Sequence, residues 1–195
     1  MGVKYGKDPT DADVNAIFKV FVPMNETVAA DYADLIPGTL DTIADLRGRG
    51  MKIGSTTGYT RSIMQHVLPT AAAQGYCPDN LVCSDDLIEG RPGPLCIYKC
   101  MVDLAVYPPA AILKVDDTAP GIAEGASAGC VTVGLALSGN AVGKTLEELA
   151  VLSESEIATL RDHANRLLKD AGADHVIDTI RDLPELVTQL EAQPV

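Results

Sequence analysis

Tryptophan is absent from this 195-residue sequence and phenylalanine occurs twice, so any core has to be assembled from aliphatic side chains. Positive charge is also scarce. The 15 Lys and Arg residues face 27 Asp and Glu, a formal net charge of -12, which excludes nucleic acid and anionic membranes as partners of the surface as a whole. A local basic site for a small anion stays open. No apolar run approaches the ~20 residues of a membrane span, and the opening "MGVKYGKDPTDAD" is polar rather than signal-like. The expected compartment is the reducing cytoplasm. The five cysteines form no C-x-x-C pair, and Cys96 and Cys100, one helical turn apart, have no histidine nearby in sequence. That pattern speaks against a zinc site and for buried, reduced thiols.

The apolar fraction is 47%, enough for one folded domain with a small appendage. Thr10 caps an opening helix whose Val14, Ile17, Phe18 and Phe21 share one face, and Pro23 stands where it can interrupt that helix. "PGTLDTIADLRGRG" reads as a second helix. Short apolar runs then alternate with helical stretches: strands at "MKIGSTT", "NLVCS", "AILKVD", "CVTVGLA" and "HVIDTI", with "TLEELAVLSESEIATLRDHANRLLKDAG" helical throughout. Such alternation implies right-handed βαβ units and an α/β fold with a Rossmann-like, mainly parallel sheet. Chemistry in such sheets sits beyond the carboxyl ends of the strands.

Three of those ends carry suitable groups. "KIGSTTGYTR" offers hydroxyls and free backbone N–H groups at a turn into a helix, a phosphate cradle or an ordinary helix cap. "GRPGP" places Arg91 in a loop opening a helix, where a guanidinium reaches a phosphoryl group or merely solvent. "LKVDD" sets Asp116 and Asp117 side by side at the end of a buried run. Adjacent carboxylates there call for a cation, and oxygen ligands favour Mg²⁺.

In order and spacing these elements resemble the haloacid dehalogenase superfamily, whose Rossmann-like core carries an inserted cap. "RGMKIGSTTGYTR", "GRPGPLCIYK", "LKVDDTAPGIAEGASAGC" and "VGLALSGNAVGKT" are similar, along nearly the whole chain, to the phosphonoacetaldehyde hydrolase (phosphonatase) family. The resemblance implies Mg²⁺-dependent hydrolysis of the C–P bond of a small phosphonate substrate. Thr57 and the Gly58 N–H would bind phosphoryl oxygens, and Arg91 would neutralise the group. Asp117 would ligate Mg²⁺ with Asp116 in support. Some members instead carry glycine then aspartate here and a further aspartate four residues on, where this chain has Gly121. Residues 1–36 correspond to a partial helical cap and 37–195 to a core lacking its first strand. A homodimer through the cap also follows from the resemblance.

The family's reaction needs an aspartate nucleophile at an N-terminal strand end and a cap lysine that forms a Schiff base. Neither has a good match here. "DLIPGT", from Asp34 to Thr39, has no strand before it, Asp85, Asp86 and Asp178 lack a glycine-threonine turn, and Lys4 falls past the Schiff-base position. His66, His163 and His175 read as surface or core residues. Two alternatives therefore stand beside the hydrolase reading: a non-catalytic remnant that binds Mg²⁺ and phosphate, and a different phosphatase of the same superfamily.

Overall fold

A capping box starts the first helix. In the computed structural model, which describes Gly6 and residues 8–192, Thr10 accepts from Asp13 N while Asp13 accepts from Thr10 N, opening α1 (Asp11–Val28). Pro23 does not end this helix. It withholds one N–H from an exposed stretch around Lys19, where water can serve the freed carbonyl. None of α1 is buried, and Val14, Ile17, Phe18 and Phe21 are all exposed.

The remaining elements alternate as the pattern of apolar runs predicts. They are α2 (Thr39–Gly48), β1 (Gly54–Thr56), α3 (Arg61–Ala73), β2 (Asn80–Val82), α4 (Leu95–Leu104), β3 (Leu113–Asp116), α5 (Ala119–Ala128) and β4 (Val131–Leu135). Then follow α6 (Leu146–Ala150), α7 (Glu154–Asp170), β5 (His175–Ile177) and α8 (Leu183–Glu191). The long C-terminal helical stretch is broken. Ser153 accepts from Glu156 N and receives Glu156 back on its own N–H, so it caps a new helix rather than continuing the old one.

All strand pairs are parallel, but they form two sheets. β1 pairs with β2, and β3–β4–β5 form the other, with Asp116 opposite Gly134. Among the described residues the remaining edges of β1 and β3 have no ladder partner. Side chains alone cross from one to the other.

Helices cover both faces of the larger sheet. On one face Val133 packs with Leu46 of α2 and Leu183, Leu186 and Val187 of α8. On the other, Ile122 of α5 packs with Leu168 of α7, and Leu168 lies against Gly134. Cys96 and Cys100 join Val82, and Cys130 joins Ile97 and Ala128, so these thiols serve as small apolar side chains. Burial pushes the Cys100 thiol up to about 12, which keeps it protonated and inert.

Candidate active site

β3 delivers the acids. Alternation along a strand sends Lys114 and Asp116 to one side, toward α5. Two glycines on α5, four residues apart, make room for them. A Cβ on Gly125 would come within 2.5 Å of Lys114 Cγ, and one on Gly121 would fall on the Asp116 carboxyl itself. The Asp116 carboxyl thus occupies the space that a side chain at position 121 would take.

Around it lies a closed group of charges. Asp116 Oδ2 meets Arg91 Nη2 and Lys114 Nζ, each at 3.1 Å, while Oδ1 accepts from Thr118 N at 3.0 Å and Thr118 Oγ1 at 2.8 Å. Burial pushes the Asp116 carboxyl up, but Lys114, Arg91 and the Thr118 donors together outweigh it and hold the group below its ordinary range. It is therefore ionised at neutral pH. Lys114 Nζ also donates to Thr56 Oγ1 at 2.9 Å and lies 3.0 Å from Glu124 Oε2. Arg91 Nη2 donates to Thr56 O at 2.9 Å and Thr56 Oγ1 at 3.1 Å, and Arg91 Nε lies 3.2 Å from Glu124 Oε2.

Asp117 points elsewhere. Its Oδ2 accepts from Asn140 N at 2.8 Å, in the loop after β4, and among the described residues no donor meets its Oδ1. Gly139 allows that loop to close on it, since a Cβ there would stand 2.9 Å from Asp117 Cβ. Thr57 follows the end of β1. Its N–H pairs with Val82 O at 3.0 Å, and its Oγ1 accepts from Tyr59 N at 3.1 Å. Gly58 is exposed, with open space where a side chain would stand.

Of the residues marked by sequence, Arg91 and Asp116 are in direct contact, and Asp117, Thr57 and Gly58 lie at the neighbouring strand ends. Lys114 and Glu124 were missed, and Thr56 was marked only as one of the strand-end hydroxyls. The available signal was a single charge in "GIAEGASAG", a helix otherwise of small residues, and a lysine two before an aspartate in a buried strand. Of the other candidate acids Asp34 is exposed, and three have structural partners. Asp178 forks onto Arg161 at 2.8 Å, Asp86 pairs with Arg61, and Asp85 accepts from Arg61 N at 2.8 Å. His66 and His163 are exposed and His175 half-buried, all outside the charge cluster. Lys4 lies outside the described residues.

A parallel α/β core with an acidic pair, an arginine and hydroxyls at its strand ends defines a phosphotransferase-type hydrolase. The family profile described as haloacid dehalogenase-like hydrolase matches residues 4–129, and the chain belongs to that family. Within it, the chain belongs with the phosphonoacetaldehyde hydrolases. It is 47% identical to the phosphonoacetaldehyde hydrolase of Paraburkholderia xenovorans over 190 residues, covering 97% of this chain and 71% of the relative. It is likewise 47% identical to that of Klebsiella pneumoniae over 191 residues, with the same coverage. The crystal structure of a phosphonoacetaldehyde hydrolase-like protein from Oleispira antarctica superposes with a TM-score of 0.89 at 36% identity, covering 97% of this chain and 68% of that one.

Proposed function

We propose that this chain holds the phosphoryl group of phosphonoacetaldehyde for Mg²⁺-dependent hydrolysis of its C–P bond to acetaldehyde and phosphate. The observation that carries the reading is the ion cluster joining Arg91 to Asp116, with Asp117, whose Oδ1 is unclaimed among the described residues, following at the end of the same strand. Arg91 Nη1 makes no hydrogen bond among the described residues, so one edge of the guanidinium is available to a phosphoryl oxygen. Thr57 and the Gly58 N–H border the same strand ends and complete the set of donors.

The acids suit a hard cation. Mg²⁺ is commonly held by one or two carboxylates, with waters and substrate phosphate filling the rest, so a third protein ligand is not required. Asp117 fits as the direct ligand because an oxygen of it is free. Asp116, already balanced by Lys114 and Arg91, fits as the supporting anion. In relatives that carry aspartate at the position of Gly121, the carboxyl would come from the helix; here the strand brings one to that place. When bound, the metal supplies charge neutralisation for the phosphoryl group.

Asp117→Asn should weaken Mg²⁺ binding more than Asp116→Asn does. Titration calorimetry reads this directly, and an Mg²⁺ affinity unchanged by Asp117→Asn would remove the assigned role.

The same reading makes residues 1–36 part of a helical cap and 37–195 a core with room for a strand between β1 and β3. The unpaired edges of those strands, joined only through side chains, support it. The exposed face of Val14, Ile17, Phe18 and Phe21 supports a homodimer through that cap. Light scattering should then show a dimer that Phe18→Asp converts to monomer; a monomer indifferent to the substitution rules the pairing out. Among the described residues no helix is long and apolar enough to cross a membrane.

A further inference from the structure

The most enclosed charge in the cluster belongs to a residue to which the motifs assign no role. Glu124 is fully buried on α5, and its Oε2 accepts from Thr56 Oγ1 at 2.8 Å while lying in ion-pair contact with Lys114 Nζ at 3.0 Å and with the buried Arg91 Nε at 3.2 Å, the latter a charge contact without hydrogen-bond geometry. We propose that Glu124 is a positioning residue: it fixes the Arg91 guanidinium so that Nη1, and not the Nε edge, is presented to the phosphoryl group. The proposal rests on the reading of Arg91 as the phosphoryl-binding cation.

Donor counting supports it. The ammonium of Lys114 donates one N–H to Thr56 and has Glu124 and Asp116 in ion-pair contact at 3.0 and 3.1 Å, so it is enclosed by the cluster's own groups. Thr56 Oγ1 donates to Glu124 and accepts from Lys114 and Arg91, which exhausts a hydroxyl. Lys114 and Thr56 are thus internal struts that tie β1 and β3 to Glu124. Arg91 has Nη2 held by Thr56 and Asp116, Nε facing Glu124, and Nη1 unclaimed. The two cations and two anions of the cluster cancel in charge, so the site selects an anion by direction of its donors rather than by surplus positive charge.

That balance gives the test a sign. Charge counting alone says that Glu124→Gln makes the site more positive and tightens anion binding; positioning says that it loosens it. Inorganic phosphate is the probe, titrated calorimetrically into the full chain with Mg²⁺ present. Glu124→Gln should weaken phosphate binding about ten- to a hundredfold, the usual worth of a group that orients a ligand through another. In an Arg91→Ala background the same change should cost nothing further, because its effect passes through Arg91. If Arg91→Ala weakens binding but Glu124→Gln leaves it equal or tighter, the positioning role is wrong and the phosphoryl site stands. If Arg91→Ala binds phosphate like the wild type, the site reading fails and this proposal with it. Should Glu124→Gln not fold, the wild-type chain still decides. Its Arg91 Nε–Hε NMR signal, identified by its loss in Arg91→Ala, should exchange slowly with water, and a signal exchanging as fast as those of exposed arginines overturns the proposal.

Discussion

Purified as these 195 residues, the chain is expected to release no acetaldehyde from phosphonoacetaldehyde. The reaction that the family resemblance implies has two covalent demands. A carboxylate must take the phosphoryl group, and an amine must form a Schiff base so that the carbon leaves as an enamine rather than a bare carbanion. Among the described residues, Asp116 and Glu124 are locked against Arg91 and Lys114, and Asp86 and Asp178 are held by Arg61 and Arg161. Asp117 is the proposed metal ligand. Binding and orientation alone replace neither covalent step. The same chain joined to the first-strand and cap segment of a phosphonoacetaldehyde hydrolase should turn over. Within that joined protein, Arg91→Ala should lower turnover on the order of 10²-fold or more, the usual effect of removing a preorganised donor from a reacting oxyanion. Acetaldehyde release coupled to alcohol dehydrogenase measures both. Robust Mg²⁺-dependent turnover by the 195 residues alone would show that a nucleophile among them has been overlooked.

What could be read from the sequence was local. Apolar runs ending in polar groups marked β1 and β3 and put Thr57, Asp116 and Asp117 at strand ends, and "GRPGP" put Arg91 in a loop opening a helix, because a strand's period and a helix's start are written in neighbouring residues. What depended on register or distant packing could not be read. Thr56 and Thr57 are adjacent and chemically equal, yet only Thr56 reaches Glu124 and Lys114, since the pairing of Thr56 with Val82 fixes which side chain turns inward. Asp116 and Asp117 looked like one acidic pair. Strand alternation sends them apart, one into the ion cluster and the other toward Asn140. Glu124 sits 68 residues from Thr56, and nothing in "AEGAS" tells that its helix will lie against β3. Its neighbours Gly121 and Gly125 hold the clue in retrospect, because small residues at that spacing let another element's side chains approach.

Lys114→Met should be among the most damaging single changes to stability. The substitution keeps most of the side-chain volume, so the loss is chiefly one of charge. It strips Glu124 and Asp116 of the cation that bridges them, and it leaves Thr56 Oγ1 one donor short. Arg91 compensates Glu124 poorly, since its Nε lies 3.2 Å away without a satisfactory hydrogen bond, and Glu124 Oε1 already has no partner. Removing one member of a buried ion pair typically costs about 3–5 kcal/mol. At about 2–4 °C per kcal/mol for a chain of this size, the melting temperature should fall by roughly 6–20 °C. Replacing both partners reverses the logic. Lys114→Met with Glu124→Leu removes the stranded charge together with its counter-ion, and apolar replacement of a whole buried pair is often close to neutral. The double variant should therefore melt above the Lys114→Met single, a non-additivity that thermal and urea unfolding followed by circular dichroism will register. A single variant within about 2 °C of wild type would mean that Lys114 is solvated in solution. A double variant no better than the single would mean that Glu124 draws its compensation from Arg91 after all.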